Sequence, residues 1–418
     1  MREIFVLGAG VIGMASAYAL ASEGLEVTVI DAGTGPAAGG ASFGNGAQLS
    51  YSYTDALASP SLIANVPKLL LGFDPAFRLT PSLSPRFWAW SLSFLTNASR
   101  SSFERNTIEV LKLAMESRRG FAEISKKISF DHRSTGKLNL YSTHRGLRNA
   151  ESLSRLKNKH GTEQVVLTAE EAIEREPALA RFSHPFAGAL WSPFDEAGDS
   201  WLFCQNLHTV LERDYGVKFK FGTKIEALRA RSGKIDAIIT DTGEFSCNRV
   251  VIALGAGSAA IARTAGIRLP IWPMQGYSMT IPASEMAPSV SITDTSRKVV
   301  FCRIGDRLRI GGLADIGGEN PKFKKQRFAA LLEAAKGMFP EAGDYTGNVN
   351  AWTGLRPMTP NSQPMVGQSK IEGLFLNCGH GSLGWTLSMA TAARLAQAIR
   401  MEGNVISGAA SLIHVHSN

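Results

Sequence analysis

The chain has 418 residues, a hydrophobic fraction of 44%, a charged fraction of 19% and a net charge of +8. This length and composition are typical of a globular protein with one large domain or two interleaved ones. The basic side chains are scattered and are not interleaved with aromatic residues, which excludes a nucleic-acid-binding stripe.

The N-terminal stretch predicts a dinucleotide-binding unit. Residues 4–7 are an apolar run typical of a buried strand, and Gly8, Gly10 and Gly13 follow in G-x-G-x-x-G spacing at the start of a predicted helix. The next buried strand ends at Asp31, 18 residues after Gly13 in the sequence. We expect Asp31 to bind ribose hydroxyls and to disfavour a 2′-phosphate; capping the following loop is its alternative role.

Two unusual stretches follow. Residues 36–60 are rich in Gly, Ala, Ser and Asn, which after a ribose-binding acid indicates backbone that wraps a cofactor. Residues 62–95 are apolar and aromatic, and prolines divide them into pieces too short to span a membrane. They are either helices packed on the core or a surface that faces a membrane or a partner.

The middle of the chain alternates between helical and strand patterns. Helices are predicted at 104–130 and through most of 147–180, with a strand at 137–141 between them. The strand at 249–252 ends in small residues that let the backbone approach a ligand. Further strands are predicted at 276–281, 299–303 and 308–312, which together indicate a mostly antiparallel sheet.

A second strand–glycine–helix unit closes the chain. Residues 374–377 are a predicted strand, 379–384 a glycine turn, and a helix with an apolar stripe follows. An NAD dehydrogenase needs one such unit, whereas the longer FAD is commonly anchored at two places. A helix N-terminus at the second unit would stabilise negative charge on a reduced flavin, so the sequence favours FAD over NAD.

These patterns predict an α/β fold. A Rossmann-like FAD-binding domain is assembled from residues 1–60, 195–260 and 350–418. A substrate domain of the α+β type, with a mostly antiparallel sheet, takes residues 61–194 and 261–349.

Other features narrow the function and location. The four cysteines form no CxxC pair, which excludes an iron–sulfur cluster or zinc ribbon held by this chain alone, and the eight histidines have no metal-ligand spacing. No apolar run approaches the ~20 residues of a membrane-spanning helix. The glycines of the first apolar run argue against a signal peptide, so we expect a cytoplasmic protein.

The longest motifs carry a resemblance to a known family. The chain resembles the bacterial D-amino acid dehydrogenases, which belong to a wider group with the D-amino acid, glycine and sarcosine oxidases. The motifs, in order along nearly the whole chain, are ASFGNGAQLS (41–50), FDEAGDSWLFCQNL (194–207), WPMQGYSMTIP (272–282), GGLADIGG (311–318), WTGLRPMTPNSQPMVG (352–367) and LFLNCGHGSLGWT (374–386).

The resemblance implies FAD-dependent oxidative deamination of D-amino acids. Hydride passes from the substrate Cα to flavin N5, the imine is hydrolysed to a 2-oxo acid and ammonia, and electrons leave to quinone or a partner protein. It also implies peripheral contact with the inner face of the inner membrane, for which residues 62–95 are the candidate. D-hydroxyproline dehydrogenase, an opine- or glycine-type oxidase, or one subunit of a larger dehydrogenase remain alternatives, as does a silent flavin-binding scaffold.

The resemblance also assigns candidate catalytic residues. Arg356 would hold the substrate carboxylate, for which a guanidinium fork is suited; a buried structural ion pair is its alternative role. Tyr277 resembles a substrate-site tyrosine, and Tyr53 a tyrosine near the flavin loop; a merely packed tyrosine is the alternative for each. His380 would contact flavin or substrate, or is merely placed there by the glycine turn, and no general base is assigned.

The predicted FAD-binding residues come from several separate segments. They are Gly8, Gly10, Val11, Ile12, Gly13 and Asp31 of the first unit; Ser42, Asn45, Gly46, Ala47 and Gln48 at the flavin or pyrophosphate; Ile225 at the adenine; Ala253 and Gly255 beside the pyrophosphate; and Gly381, Leu383 and Gly384 at the pyrimidine edge.

Three positions depart from the family pattern. Gln275 stands where the family usually has a lysine, Ser382 where it has a threonine, and Asp55 where it has a small apolar residue. Gln275 removes a charge that would affect acceptor preference or redox potential. Asp55 suggests a preference for basic or hydroxylated substrates.

Overall fold

A computed structural model describes residues 3–318, 322–347 and 349–406, the last five through their backbone only. Its helices are α1 (Val11–Ser22), α2 (Pro60–Leu70), α3 (Pro85–Thr96), α4 (Arg100–Ile124), α5 (His144–Asn158), α6 (Ala169–Arg175), α7 (Ser200–Tyr215), α8 (Ser258–Thr264), α9 (Lys325–Met338) and α10 (Gly384–Ile406). Short 3₁₀ turns lie at Pro177–Arg181, Gly255–Gly257 and Gly381–Leu383.

The strands follow in chain order. They are β1 (Glu3–Leu7), β2 (Glu26–Ile30), β3 (Gln48–Leu49), β4 (Phe77–Leu79), β5 (Lys137–Tyr141), β6 (Val165–Leu167), β7 (Gly188–Ser192), β8 (Glu196–Ala197), β9 (Lys218–Lys220), β10 (Ile225–Arg231), β11 (Lys234–Thr240), β12 (Gly243–Ser246), β13 (Val250–Ile252), β14 (Trp272–Pro282), β15 (Ser291–Asp294), β16 (Val299–Ile304), β17 (Arg307–Ile316), β18 (Asn350–Met358), β19 (Met365–Gln368) and β20 (Leu374–Cys378).

A six-stranded sheet forms the first layer, in the order β19-β20-β13-β1-β2-β9. Its strands are parallel except for the β19–β20 pair. The central strands are apolar because helices α1, α4, α7 and α10 cover one face, while the small sheet β10-β11-β12 and α8 cover the other. The two predicted strand–glycine–helix units are thereby brought together, since β13 alone separates β1 from β20.

A nine-stranded sheet forms the second layer, in the order β18-β14-β17-β16-β15-β5-β7-β6, with β4 added beside β17. Its pairs are antiparallel except β15–β5 and β17–β4. The prediction of a mostly antiparallel second sheet is confirmed, as is the α/β fold class. Residues 147–180 are less helical than predicted, because β6 interrupts them to pair with β7.

The two sheets draw on different parts of the chain. The strands of the six-stranded sheet fall within the segments predicted for the FAD-binding domain, and most strands of the nine-stranded sheet fall within those of the substrate domain. Strand β18 joins the nine-stranded sheet by pairing with β14, although it lies past the predicted boundary at residue 350. The domain division itself stays a prediction, and residues 407–418 of its last segment lie outside the described residues.

Candidate active site

A cavity of about 690 Å³ lies between the two sheets. Its wall is built from the β1–α1 turn, the end of β2, residues 39–57, the end of β13, strands β14, β17 and β18, and the β20–α10 turn. Most of the predicted site residues line it: Gly8, Gly10, Val11, Ile12, Asp31, Ser42, Asn45, Gly46, Gln48, Tyr53, Ala253, Gly255, Tyr277, Arg356, His380, Gly381, Leu383 and Gly384.

Three predicted residues are not part of the cavity wall. Gly13 packs α1 against the preceding turn, where an added Cβ would lie 1.7 Å from the Gly8 carbonyl oxygen. Ala47 donates its N–H to the Asn45 side-chain oxygen at 2.8 Å and shapes the loop. Ile225 begins β10 and is buried in the core between the small sheet and the six-stranded sheet. The predicted cofactor contacts of all three stay predictions.

The Asp31 carboxylate holds the glycine turn and faces the cavity. It accepts the Ala9 N–H at 2.7 Å and the Gly33 N–H at 2.6 Å. A carboxylate has about four acceptor sites, so two remain for ribose hydroxyls. Ser42 lies opposite and accepts the Val11 N–H at 2.9 Å, which fixes the loop over the N-terminus of α1.

Residues 44–50, the crossing loop, run across the cavity-facing side of the nine-stranded sheet. The Ser278 hydroxyl of β14 donates to the Gly44 carbonyl, and the Arg309 guanidinium of β17 donates to the Asn45 carbonyl at 2.9 Å. At its far end the Lys137 ammonium of β5 donates to the Ser50 hydroxyl at 2.9 Å. These bonds fix the backbone that the sequence predicted to wrap the cofactor.

The second glycine turn places the N-terminus of α10 at the cavity. Gly381, Leu383 and Gly384 line the wall, so the positive end of the helix dipole faces the space. His380 precedes them, and its Nε2 lies 3.0 Å from the Thr391 hydroxyl. Burial lowers the pKa of His380 to about 3, which keeps the imidazole neutral at physiological pH. This geometry agrees with assigning no general base to His380.

The Arg356 guanidinium lines the cavity. Its guanidinium lies over Gly276, where an added Cβ would lie within 3 Å of it, so only glycine leaves this space. No acidic side chain of the described residues forms an ion pair with it, and its Nη1 donates to the Leu313 carbonyl at 3.0 Å. Burial lowers the pKa of Arg356 to about 10, and nearby Asp315 opposes that shift. Arg356 is therefore charged at neutral pH with donors to spare.

A β-bulge positions the carbonyl that holds Arg356. The register between β14 and β17 shifts after Gln275, and Leu313 has a φ of 60° at this point. A left-handed leucine is strained, and such strain is common where a strand turns a group toward a ligand. Leu313 carries no signal of its own in the sequence; the Gly311–Gly312 pair inside a strand pattern is the available signal.

The Tyr277 side chain projects from the face of β14 opposite to the Gly276 position. Strands β14 and β18 pair without interruption from Trp272 to Thr280. Successive residues of a regular strand point to opposite faces of the sheet, so Tyr277 and Gly276 face opposite ways. The Tyr277 ring packs toward α9, with its centroid 5.8 Å from that of Phe323, and its hydroxyl has no partner among the described residues. Burial raises the pKa of Tyr277. Its substrate role stays a prediction, in a position across the strand from Arg356.

Tyr53 lines the cavity, whereas Asp55 does not. The Tyr53 ring lines the wall with the Lys137 ammonium 4.5 Å from its centroid, and burial raises the Tyr53 pKa. Asp55 does not line the cavity, and its carboxylate accepts from the buried Lys157 ammonium at 2.9 Å. This ion pair leaves no support for Asp55 as the residue that selects basic substrates.

Two other departures from the family pattern do line the cavity. Gln275 donates its amide to the Thr353 hydroxyl at 3.0 Å, and its side-chain oxygen is buried without a partner among the described residues. Ser382 lies within the glycine turn before α10. Lys137 also lines the cavity and was missed, since the sequence marks it only as the first residue of a strand.

The fold and the cavity together define a flavin-dependent oxidoreductase. The cavity combines a tight glycine turn, an acid at the end of the second strand, a wrapping loop and a second helix N-terminus, which fit a long dinucleotide. Free space beside Arg356 fits a small carboxylate.

Comparison with known proteins identifies the family. The chain belongs to the FAD dependent oxidoreductase family (DAO), whose profile matches residues 3–398, and its cofactor is FAD. It is 37% identical over 403 residues to a D-amino acid dehydrogenase of Methylobacterium sp. (strain 4-46), covering 95% of both chains. It is 34% identical over 401 residues to one of Vibrio vulnificus (strain YJ016), again covering 95% of both. The fold is similar to that of a glycine oxidase from Geobacillus kaustophilus, with a TM-score of 0.74, 21% identity and coverage of 96% and 95%.

Proposed function

We propose that the chain is a D-amino acid dehydrogenase, which oxidises D-amino acids to 2-oxo acids and ammonia and passes electrons to an acceptor other than oxygen. The observation that carries this proposal is the half-buried Arg356 guanidinium, which faces the FAD cavity without an acidic partner among the described residues. A substrate carboxylate supplies the missing anion. The name that relatives at 34% and 37% identity bear supports the same activity.

Different segments of the cavity wall would hold different parts of the cofactor. The glycine turn and the N-terminus of α1 would hold the pyrophosphate, Asp31 the ribose, and the crossing loop together with the N-terminus of α10 the flavin. When bound, FAD supplies the acceptor for the hydride that leaves the substrate Cα.

The chain's own residues bind and orient the substrate. Arg356 binds the carboxylate, and the Leu313 carbonyl keeps the guanidinium in place over Gly276. The positive end of α10 stabilises negative charge that develops at the cofactor. His380 stays neutral and moves no proton, so the substrate reacts as the free amine, and the imine product is hydrolysed by water to the 2-oxo acid and ammonia.

We further propose that a lipophilic quinone takes the electrons from the side of residues 62–95. Leu57 and Phe77 line the cavity and also pack in the apolar cluster that contains Leu62, Ile63 and Leu69. The same segment also exposes large apolar side chains, among them Leu70, Phe73 and Leu92. The apolar side chains on this side of the cavity would favour the approach of an apolar acceptor.

Anaerobic stopped-flow reduction of the bound flavin tests the activity. The panel is D- and L-amino acids, D-hydroxyproline, glycine and sarcosine. We expect several D-amino acids to bleach the flavin absorbance and the L-forms to leave it unchanged. Bleaching by one cyclic or N-substituted amine alone would move the assignment to a specialised relative. A flavin spectrum that no amine of the panel alters would contradict the proposal that the chain is an amino acid dehydrogenase.

A further inference from the structure

Trp352 and Arg356 lie on either side of a pair of glycines. Alternate residues of a strand share one face of the sheet, so β18 presents Trp352, Gly354 and Arg356 toward the cavity. Gly354 is paired with Gly276 of β14, over which the Arg356 guanidinium lies. The strip of sheet between the two large side chains is therefore bare backbone.

The Trp352 ring fills part of the space that the glycines leave. A Cβ added at Gly354 would lie no more than 3.0 Å from the Cη2, Cζ2 and Cζ3 atoms of the indole. A Cβ added at Gly44, in the crossing loop, would lie 2.5 to 2.9 Å from its Cγ, Cδ2 and Cε3 atoms. The half-buried ring is thus held between the crossing loop and β18, and its outer edge covers Gly354.

This ring edge stands next to the group that binds the carboxylate. Paired residues of an antiparallel sheet have Cα atoms about 4.5–5.5 Å apart, so the ring above Gly354 and the guanidinium above Gly276 are neighbours. We expect a substrate whose α-carboxylate binds Arg356 to bring its own side chain close to the edge of the Trp352 ring.

The other sides of this space are occupied. Toward the middle of the sheet, the crossing loop is hydrogen-bonded to Ser278 and Arg309. Toward β4, Phe77 lines the side from which we propose that the electron acceptor approaches. The cavity of about 690 Å³ is in the range of a pocket for one small ligand, although it must hold FAD as well as the substrate. The room left for a substrate side chain is therefore small and lies toward Trp352.

We propose that Trp352 is a specificity-determining residue whose indole ring limits the length of the substrate side chain. This inference rests on the proposed function and concerns the substrate pocket of the same site. A short side chain fits between Arg356 and the ring, whereas a longer one meets the ring edge. The ring cannot yield easily, because Gly44 and Gly354 back it with main chain rather than with mobile side chains.

Unbranched D-amino acids of increasing length test the proposal. The series is D-alanine, D-2-aminobutyrate, D-norvaline and D-norleucine, each measured as kcat/KM with an artificial soluble acceptor. We expect the wild type to lose activity along the series. In Trp352→Ala the ratio of D-norleucine to D-alanine should rise by about 10-fold or more, the range over which an apolar pocket discriminates a methylene group. Trp352→Phe should raise the ratio less, because the smaller ring still occupies part of the space.

A matched variant and a binding measurement serve as controls. Trp201→Ala makes the same chemical change in the first turn of α7, at an exposed tryptophan outside the cavity wall, and should keep the wild-type length profile. Binding of pyruvate and 2-oxohexanoate, followed by the flavin absorbance, needs no turnover. Trp352→Ala should tighten binding of 2-oxohexanoate relative to pyruvate by a similar factor. Trp352→Phe keeps an aromatic ring between the two glycines and decides the question if the alanine variant does not fold.

The outcomes separate the inference from the function on which it rests. A wild-type enzyme whose kcat/KM stays level or rises along the series overturns the proposal without any variant. A ratio that both Trp352 variants leave intact, or an equal loss for every length, overturns it as well, as does a length profile that Phe77→Leu shifts and Trp352→Ala does not. In these cases D-amino acids still reduce the flavin. Failure of every D-amino acid to reduce it in the wild type would instead overturn the proposed function.

Discussion

At the scale of single residues, the site is defined by a cation, Arg356, that forms no ion pair with the described residues. Arg327 shows the usual arrangement in this chain, since it is buried and forms a two-pronged ion pair with Asp315. Arg356 is half-buried on β18, and among the described residues its guanidinium donates only to the Leu313 carbonyl. A partly desolvated charge without a counter-ion carries a cost, so its retention at the cavity wall favours a ligand that completes the pair.

Replacing Arg356 by lysine should weaken substrate binding while FAD stays bound. A lysine keeps the charge but loses the planar fork, so we expect KM for a D-amino acid to rise by about 10- to 100-fold, as for a lost charged hydrogen bond. Steady-state kinetics and the flavin absorbance per chain measure the two effects. Arg394→Lys makes the same chemical change in a surface pair with Glu116 and should leave KM unaltered. An unchanged KM in Arg356→Lys would remove the carboxylate role.

Some residues of the site can be predicted from the sequence and others cannot. Arg356 and the glycines belong to motifs whose residue types already indicate their chemistry. Lys137 and Leu313 depend on which strands meet: Lys137 matters because the crossing loop ends beside β5, and Leu313 because a bulge in β17 turns its carbonyl toward β18. These contacts join positions far apart in the chain, and no local pattern encodes them.

At the scale of elements, close packing of α1 against the β1 turn positions the cofactor site. Helix α1 begins at Val11 beside the cavity and contacts α10 and α7 on its outer side. The strand–glycine–helix order was predictable because each element is local and has a clear apolar pattern. The pairing of β18 with β14 was not, because residues 350–358 carry no local pattern that specifies a strand partner.

Gly13→Ala tests this packing. The added Cβ would lie 1.7 Å from the Gly8 carbonyl oxygen. Because neither atom can move by a side-chain rotation, α1 or the turn must shift. We expect a loss of about 1–3 kcal/mol in the free energy of unfolding and less FAD per purified chain. Gly337→Ala is the control, because no atom lies within 4 Å of its added Cβ in helix α9. It should raise the stability by about 0.5–1 kcal/mol. Equal effects of the two changes on thermal unfolding and FAD content would refute the packing argument.

At the scale of the whole molecule, residues 62–95 form an exposed apolar surface. Its large side chains are Leu70, Leu71, Phe73, Leu83, Trp88, Leu92 and Leu95, of which Phe73 is 74% and Leu83 100% exposed. No helix among the described residues is long and apolar enough to cross a membrane. Phe87, Trp90 and Phe94 pack on the core while the opposite side of α3 faces outward, so contact of that outward side with a membrane or a partner stays a prediction.

The charges around this surface favour an anionic membrane over a protein partner. Residues 60–96 contain Lys68, Arg78 and Arg86 against the single acid Asp74, within a chain of net charge +8. Apolar side chains that insert between headgroups, with cations beside them, are typical of peripheral membrane contact. The cluster beneath this surface reaches the cavity through Leu57 and Phe77. Membrane contact and delivery of electrons to quinone would therefore use one side of the molecule.

We expect the protein to cosediment with phosphatidylglycerol vesicles, and less with phosphatidylcholine vesicles, because both apolar and electrostatic terms contribute. The variant Phe73→Ser/Leu83→Ser/Leu92→Ser should bind at least about 100-fold more weakly, since each large apolar side chain contributes about 1.5–3 kcal/mol when fully buried. The control variant Val165→Ser/Met286→Ser/Met401→Ser removes three exposed apolar side chains elsewhere and should bind as the wild type does. Reduction of the flavin by a D-amino acid should be retained in both. Equal vesicle binding by the two triple variants would show that residues 62–95 do not form the membrane contact, and quinone would then need another route to the cavity.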